Sequence, residues 1–156
     1  MNIAAMLTPE RVRYQAHATS KKRSLELLAE LLGDTDGERG TRSVFESLIG
    51  RERLGSTGLG RGVALPHARL AGLESPVAAL VNLHEGVNFD AIDRQPVDLL
   101  FALLVPEHST DEHLRILAAL AEMFSDPDFC QHLRTAGSDQ ALYEQVCQRL
   151  ADGATV

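Results

Sequence analysis

The sequence predicts an α/β protein in which helices cover both faces of a sheet. Three observations carry this. Val97 to Val105 (VDLLFALLV) holds one polar residue, Asp98. Val77 to Leu83 (VAALVNL) holds one as well, Asn82. Strands this apolar are buried on both sides, because a half-solvated strand would alternate. Around them run segments whose apolar residues recur at helical spacing, joined by short turn-rich connections. The 156 residues are expected to form a single domain, with a core over about residues 7–150.

Residues 1–19 read as irregular, with a short strand from Val12 to Ala16. Ser20 can cap a helix to Leu32, with Leu25, Leu28 and Leu32 on one face and Gly33 at its end. Residues 34–40 (DTDGERG) are a turn-rich loop. Thr41 is expected to cap a second helix that turns Val44, Phe45, Leu48 and Ile49 inward. It runs out near Gly50 and leaves Arg51 just ahead of a glycine-rich stretch. Val63 to Leu65 reads as a brief buried strand stopped by Pro66. Leu70 to Pro76 is a polar connection, and residues 84–96 a loop. Pro106 ends the strand begun at Val97. Ser109 and Glu112 have capping-box spacing, and the following helix is expected to bury Leu114, Leu117, Ala121 and Phe124. Asp126 and Pro127 read as cap and first position of a helix to Arg134. Ser138 can cap a last helix with Leu142, Val146 and Leu150 inward, before a frayed tail, ADGATV.

Composition narrows the classes of function. The apolar fraction is 44% and no run approaches a membrane span of about 18 residues, so no membrane insertion is expected. The start, MNIAAMLTPE, lacks a basic flank and apolar core, which points to a cytoplasmic protein. Cys130 and Cys147 have no CxxC spacing and read as fillers on helices. Residues 1–70 hold 11 Lys/Arg against 8 Asp/Glu, a net of +3, and residues 71–156 hold 4 against 14, a net of −10. Nucleic-acid binding would ask for a basic stripe with interleaved aromatics, and aromatics are only 4%. The asymmetry fits a basic site for a phosphoryl group, and equally ordinary surface variation.

The chemistry concentrates in Leu54 to Leu70, LGSTGLGRGVALPHARL. Its glycines run into a strand and are followed by no Gly-Lys-Ser/Thr, so it is not a P-loop. Val63 stands where a dinucleotide fingerprint needs its third glycine, and G-S-T-G is not a nucleophile elbow. Pro66 presents His67 at a strand end, between Arg61 and Arg69. His108 and His113 are five apart and do not share a helix face as a metal pair would, so no metal and no other cofactor is assigned. His113 falls in the first turn of its helix, where free N–H groups attract anions. A half-buried helix histidine bonded to a carbonyl would look the same. A strand-end histidine, a cation before it, a second histidine at a helix start and glycine amides suit a phosphoryl group carried on histidine. Neutral imidazole is a good nucleophile near pH 7, and phosphoryl transfer asks mainly for positioning and charge.

Arg51 to His67 (RERLGSTGLGRGVALPH) resembles the IIA domains of the bacterial sugar phosphotransferase system, fructose/mannitol type, and most closely the nitrogen-regulatory IIA proteins. Asn88 to Phe124 strengthens the resemblance, as do Ser138, Asp139, Leu142 and Tyr143. It implies a mixed β-sheet with helices on both sides. It implies that His67 is phosphorylated on Nε2, that His113 is the second active-site histidine and that Arg51 binds the phosphoryl oxygens. Ser56, Thr57 and Gly58 would form the loop beside them. The implied donor is HPr or its nitrogen-related counterpart, and the implied targets include potassium transport or a sensor kinase. Ala68 stands where many relatives have glycine. A sugar-transport role, passing phosphate to a IIB domain, and a non-phosphorylated binding module are the alternatives.

Overall fold

The computed structural model describes residues 3–33, 40–109 and 111–152. The turn-rich loop read at residues 34–40 and the tail therefore lie mostly outside the described residues, Gly40, Ala151 and Asp152 excepted. Two 3-10 turns, Ile3–Met6 and Pro9–Arg11, lead into β1 (Val12–Ala16). Then come α1 (Lys21–Leu32), α2 (Thr41–Glu52), β2 (Gly58–Gly60), β3 (Val63–Ala64), β4 (His67–Leu70), β5 (Val77–Val87) and β6 (Val97–Pro106). Three helices follow: α3 (Asp111–Phe124), α4 (Pro127–Arg134) and α5 (Asp139–Asp152).

The strands make one six-stranded mixed sheet in the order β1-β5-β6-β3-β2, with β4 also paired to β6. β5 and β6 run antiparallel; β3 and β4 lie parallel to β6, one after the other. Alternation along β6 feeds two cores, as the period of two requires. Leu99, Phe101, Leu103 and Val105 pack with Ile116, Leu120, Leu142 and Val146. Leu100, Ala102 and Leu104 pack with Leu25, Leu28, Leu32, Val44 and Leu48. Helices α3 to α5 thus cover one face and α1 with α2 the other.

The caps follow the sequence in most places. The Ser20 hydroxyl accepts from Arg23 N at 3.1 Å, and Ser138 accepts from Ala141 N at 3.0 Å. Asp126 accepts from Asp128 N and Phe129 N, with Pro127 at the first position of α4. Gly33 ends α1 at an ordinary φ of −70°. It is glycine for space: a Cβ would stand 2.7 Å from Thr41 Oγ1 and 2.9 Å from the Ala29 carbonyl.

Five readings need correction. Gly40, not Thr41, is the N-cap of α2, and α2 passes through Gly50, so Arg51 sits in its last turn. α3 begins at Asp111, two residues after Ser109, whose amide bonds to the Pro106 carbonyl. The buried face of α3 is His113, Ile116, Leu120, Met123 and Phe124; Leu114 is 63% exposed. β5 continues four residues beyond Leu83 to Val87, into what reads as a loop. Two short strands, β2 and β4, fall in segments read as irregular, and β4 gains its order from β6 through four paired positions, His67–Leu103 to Leu70–Pro106.

Candidate functional site

His67 opens β4 and is half-buried. Ala68 and Leu70 join the α1–α2 core. Alternation therefore turns His67 and Arg69 to the face covered by α3. Pro66 contributes its carbonyl to β6, accepting from Leu103 N at 2.9 Å, and this anchors the strand start. His67 Nδ1 lies 2.6 Å from the Leu65 carbonyl oxygen. A carbonyl only accepts, so Nδ1 carries the proton and Nε2 keeps its lone pair.

His113 comes in from α3. Its ring centroid is 5.8 Å from that of His67, with the planes at 63°. The residue is only 8% exposed, and among the described residues neither ring nitrogen has a hydrogen-bond partner. Buried polar atoms are rarely left this way. The half-buried, carbonyl-bonded reading of His113 is replaced by a buried ring with unspent hydrogen-bonding capacity, at the N-terminal turn of a 14-residue helix.

Burial pushes both imidazoles below the ordinary 6.5. For His67 the Leu65 carbonyl opposes this, the Arg51 charge adds to it, and Glu52 opposes it. For His113 the His67 ring and Arg69 add to it. Both rings are accordingly neutral near pH 7, and Arg51 lies within electrostatic reach of His67. Its Nη1 is tied to the Gly55 carbonyl at 2.9 Å.

The loop residues face inward. Ser56 Oγ donates to the Phe89 carbonyl at 2.7 Å and accepts from Gly58 N at 3.0 Å. Thr57 donates to Glu52 through both its hydroxyl and its amide. Gly58 has no room for a side chain: a Cβ would meet Ala91 Cβ at 2.8 Å. The hydroxyls thus fix the loop's shape.

Two residues beside the site, Glu52 and Lys21, are not marked in the sequence. Glu52 is a buried carboxylate that accepts from Thr57 and pairs with Lys21 Nζ at 2.9 Å. Lys21 in turn donates to the Phe89 carbonyl and lies 4.7 Å over the Phe89 ring. This cluster ties α1, the end of α2 and the 56–58 loop into one unit beside Arg51. Nothing in the sequence separates Glu52 from a solvated helix charge. Arg69 was noted only as a neighbour of His67; its place on the His67 face follows from i,i+2 alternation once β4 is known.

A neutral imidazole nitrogen, a guanidinium within reach and a second imidazole with free capacity are groups that can together receive an anionic electrophile. The family model described as "Phosphoenolpyruvate-dependent sugar phosphotransferase system, EIIA 2" matches residues 5–148. The chain belongs to this family. It is thereby a component of a phosphotransferase system. The nitrogen regulatory protein of Pseudomonas aeruginosa is 45% identical over 146 residues, which span 94% of this chain and 95% of that one. That of Escherichia coli is 42% identical over 147 residues, spanning 94% and 90%. The crystal structure of nitrogen regulatory protein IIA-Ntr from Neisseria meningitidis matches with a TM-score of 0.87 at 40% identity, over 92% of this chain and 98% of that one. Among the described residues no helix is long and apolar enough to cross a membrane.

Proposed function

We propose that this protein is a regulatory phosphocarrier of the nitrogen type, which accepts a phosphoryl group on His67 Nε2 from a phosphorylated HPr-like protein. The observation that carries it is the Leu65 carbonyl on Nδ1, which leaves Nε2 as the nucleophile 5.8 Å, centroid to centroid, from the unpartnered ring of His113. In the transfer the N–P bond to the donor breaks as the bond from Nε2 forms. The donated N–H of His113 and the guanidinium of Arg51 balance charge on the transferred oxygens, which is most of what this transition state asks. Ser56, Thr57 and Gly58 shape the loop against which Arg51 rests. The half-exposure of His67 lets a protein donor reach it, and together with Arg51 nearby it argues against a non-phosphorylated binding module.

The regulatory reading rests on the relatives at 45% and 42% identity, both named nitrogen regulatory proteins. Cytoplasmic action and a single domain belong to the same reading, as does binding of target proteins, potassium transport or a sensor kinase among them, according to phosphorylation state. Incubation of the chain with phosphoenolpyruvate and the purified donor proteins tests the chemistry. One acid-labile, base-stable phosphoryl group per chain is expected, and His67→Ala should lose it. Full labelling of that variant would move the nucleophile elsewhere. Onward transfer to a IIB domain at the rate of acceptance would replace the regulatory reading with the sugar-transport one.

A further inference from the structure

A second histidine pair lies on the β1–β5 edge of the sheet, outside the His67 site. The rings of His17 and His84 are 4.9 Å apart, centroid to centroid, and tilted by 42°. Both are exposed and line a cleft of about 380 Å³ with Thr19 and Glu85. We propose that His17 and His84 are a two-histidine site for a borderline divalent transition metal, with zinc as the type case.

The argument begins one shell away. Asn82 is 1% exposed. Its Nδ2 donates to the carbonyls of Leu83 and Asp98, both at 3.4 Å, which fixes the orientation of the amide. Asn82 Oδ1 then accepts from Gln15 N at 3.1 Å and Gln15 Nε2 at 3.0 Å. With Nε2 spent there, Gln15 turns Oε1 to His84 Nδ1 at 2.8 Å. An amide oxygen only accepts, so Nδ1 of His84 carries a proton, and the neutral ring presents its lone pair on Nε2. A ring nitrogen tied to an acceptor while the other is left bare is the outer shell that metal-binding histidines have.

The backbone departs from regular strand geometry beside this arrangement. Gln15 sits in the left-handed region at φ 54°, uncommon for a residue with a side chain. The pairing of β1 with β5 shifts register between Arg13 and Ala16, and that of β5 with β6 shifts between Asn82 and Val87. Such irregularities re-aim side chains, and these two flank His17 and His84. The ring spacing also fits. Two imidazoles on one tetrahedral zinc, each with Zn–N of about 2.0–2.1 Å, place their centroids about 5 Å apart. Solvent in the cleft would supply the remaining ligands. Imidazole suits zinc, copper and nickel, whereas magnesium and calcium prefer oxygen donors.

Titration of the metal-free full chain with zinc chloride at pH 7, followed by calorimetry and by the histidine ring resonances, tests the site. One zinc per chain is expected, with the His17 and His84 resonances moving first and together. His17→Ala and His84→Ala should each weaken binding at least about tenfold. Gln15→Leu should weaken it by about 10- to 100-fold with both ligands in place, as loss of an outer-shell partner does. Before zinc is added, His84 should show the Nδ1–H tautomer. Magnesium at the same concentration should leave both rings unmoved. Absence of binding at about millimolar zinc would overturn the proposal. So would binding that survives loss of both histidines, or that disappears in His67→Ala, which would assign the metal to the phosphoryl site. An unchanged affinity in Gln15→Leu would remove the outer-shell argument.

Discussion

At the scale of single residues, the proposed function divides the work between the two histidines of the His67 site. On the proposed phosphocarrier reading His67 Nε2 makes the bond, so His67→Ala should drop phosphoryl acceptance below detection. In the same proposal His113 offers position and a hydrogen bond to charge that develops in the transition state. His113→Ala should therefore still accept, about 10²-fold more slowly, the typical loss for one such donor. Arg51→Lys keeps the charge but gives up the planar fork that matches phosphoryl oxygens, and should fall between wild type and Arg51→Ala. Mass spectrometry after timed exposure to phosphorylated donor ranks the variants. Equal and complete loss in folded His113→Ala and His67→Ala would contradict this division. Protonation bears on the same residues. Because burial holds His67 below 6.5, its nucleophilic form persists into mildly acid solution. The pH profile of acceptance should accordingly have its acid limb below 6.5, read from initial rates in a donor-saturated assay.

At the scale of elements, the Glu52 cluster holds the geometry around Arg51. Glu52 is buried, with Lys21 at 2.9 Å and Thr57 bonded to it twice. Glu52→Ala leaves the Lys21 ammonium with the Phe89 carbonyl and exposed Asp90, 3.7 Å away, and leaves two donors of Thr57 without their acceptor. Loss of one partner of a buried pair costs about 3–5 kcal/mol, and partial solvent access of Lys21 brings the expectation to about 2–4 kcal/mol. Urea unfolding measures it. Glu52→Gln keeps the shape and one acceptor, so it should retain most of the stability while slowing acceptance through a looser loop. The same elements explain what the sequence reveals. β6 and the start of β5 are legible because both their faces are buried, so their apolar runs are nearly unbroken. α1, α4 and α5 are legible from local caps at Ser20, Asp126 and Ser138. β4 is not, because four residues with His67 and Arg69 among them carry no strand signal of their own; their order comes from pairing with β6, some 36 residues onward in the register. The face of α3 misleads for a related reason. An inward histidine breaks the apolar count, so Leu114 is favoured over His113, and the departure from pattern marks the site itself. His67, His113 and Arg51 were accessible through the family resemblance and local context. Glu52 was not, since burial of a carboxylate is settled only by tertiary contacts.

At the scale of the whole molecule, the sheet separates two cores, and the paired imidazoles occupy the side packed by α3. This couples the candidate site to global stability through protons. Both His67 and His113 are held below the ordinary 6.5, chiefly by burial. In the unfolded chain each takes up a proton as pH falls through about 6.5, while in the folded chain each still resists. The unfolded state then binds more protons, and stability rises with pH wherever that is so. The contribution of the pair is thus fully present above about 6.5 and is lost as pH falls toward the folded values. Two cationic rings 5.8 Å apart would also repel each other, which steepens the loss. Asp93 and Asp126, whose carboxyls are held below 3.8 by hydrogen bonds to backbone amides and, for Asp126, first by Arg149, act in a lower and separate window. Urea midpoints of the wild type should therefore fall between pH 7.5 and 5.5, with the slope in urea concentration unchanged. His113→Gln removes one proton site and the repulsion, and should flatten that fall even if it lowers stability at pH 7.5. Parallel pH dependences in the two proteins would show that the buried histidines do not set acid stability in this range, and would place the loss on groups away from the site.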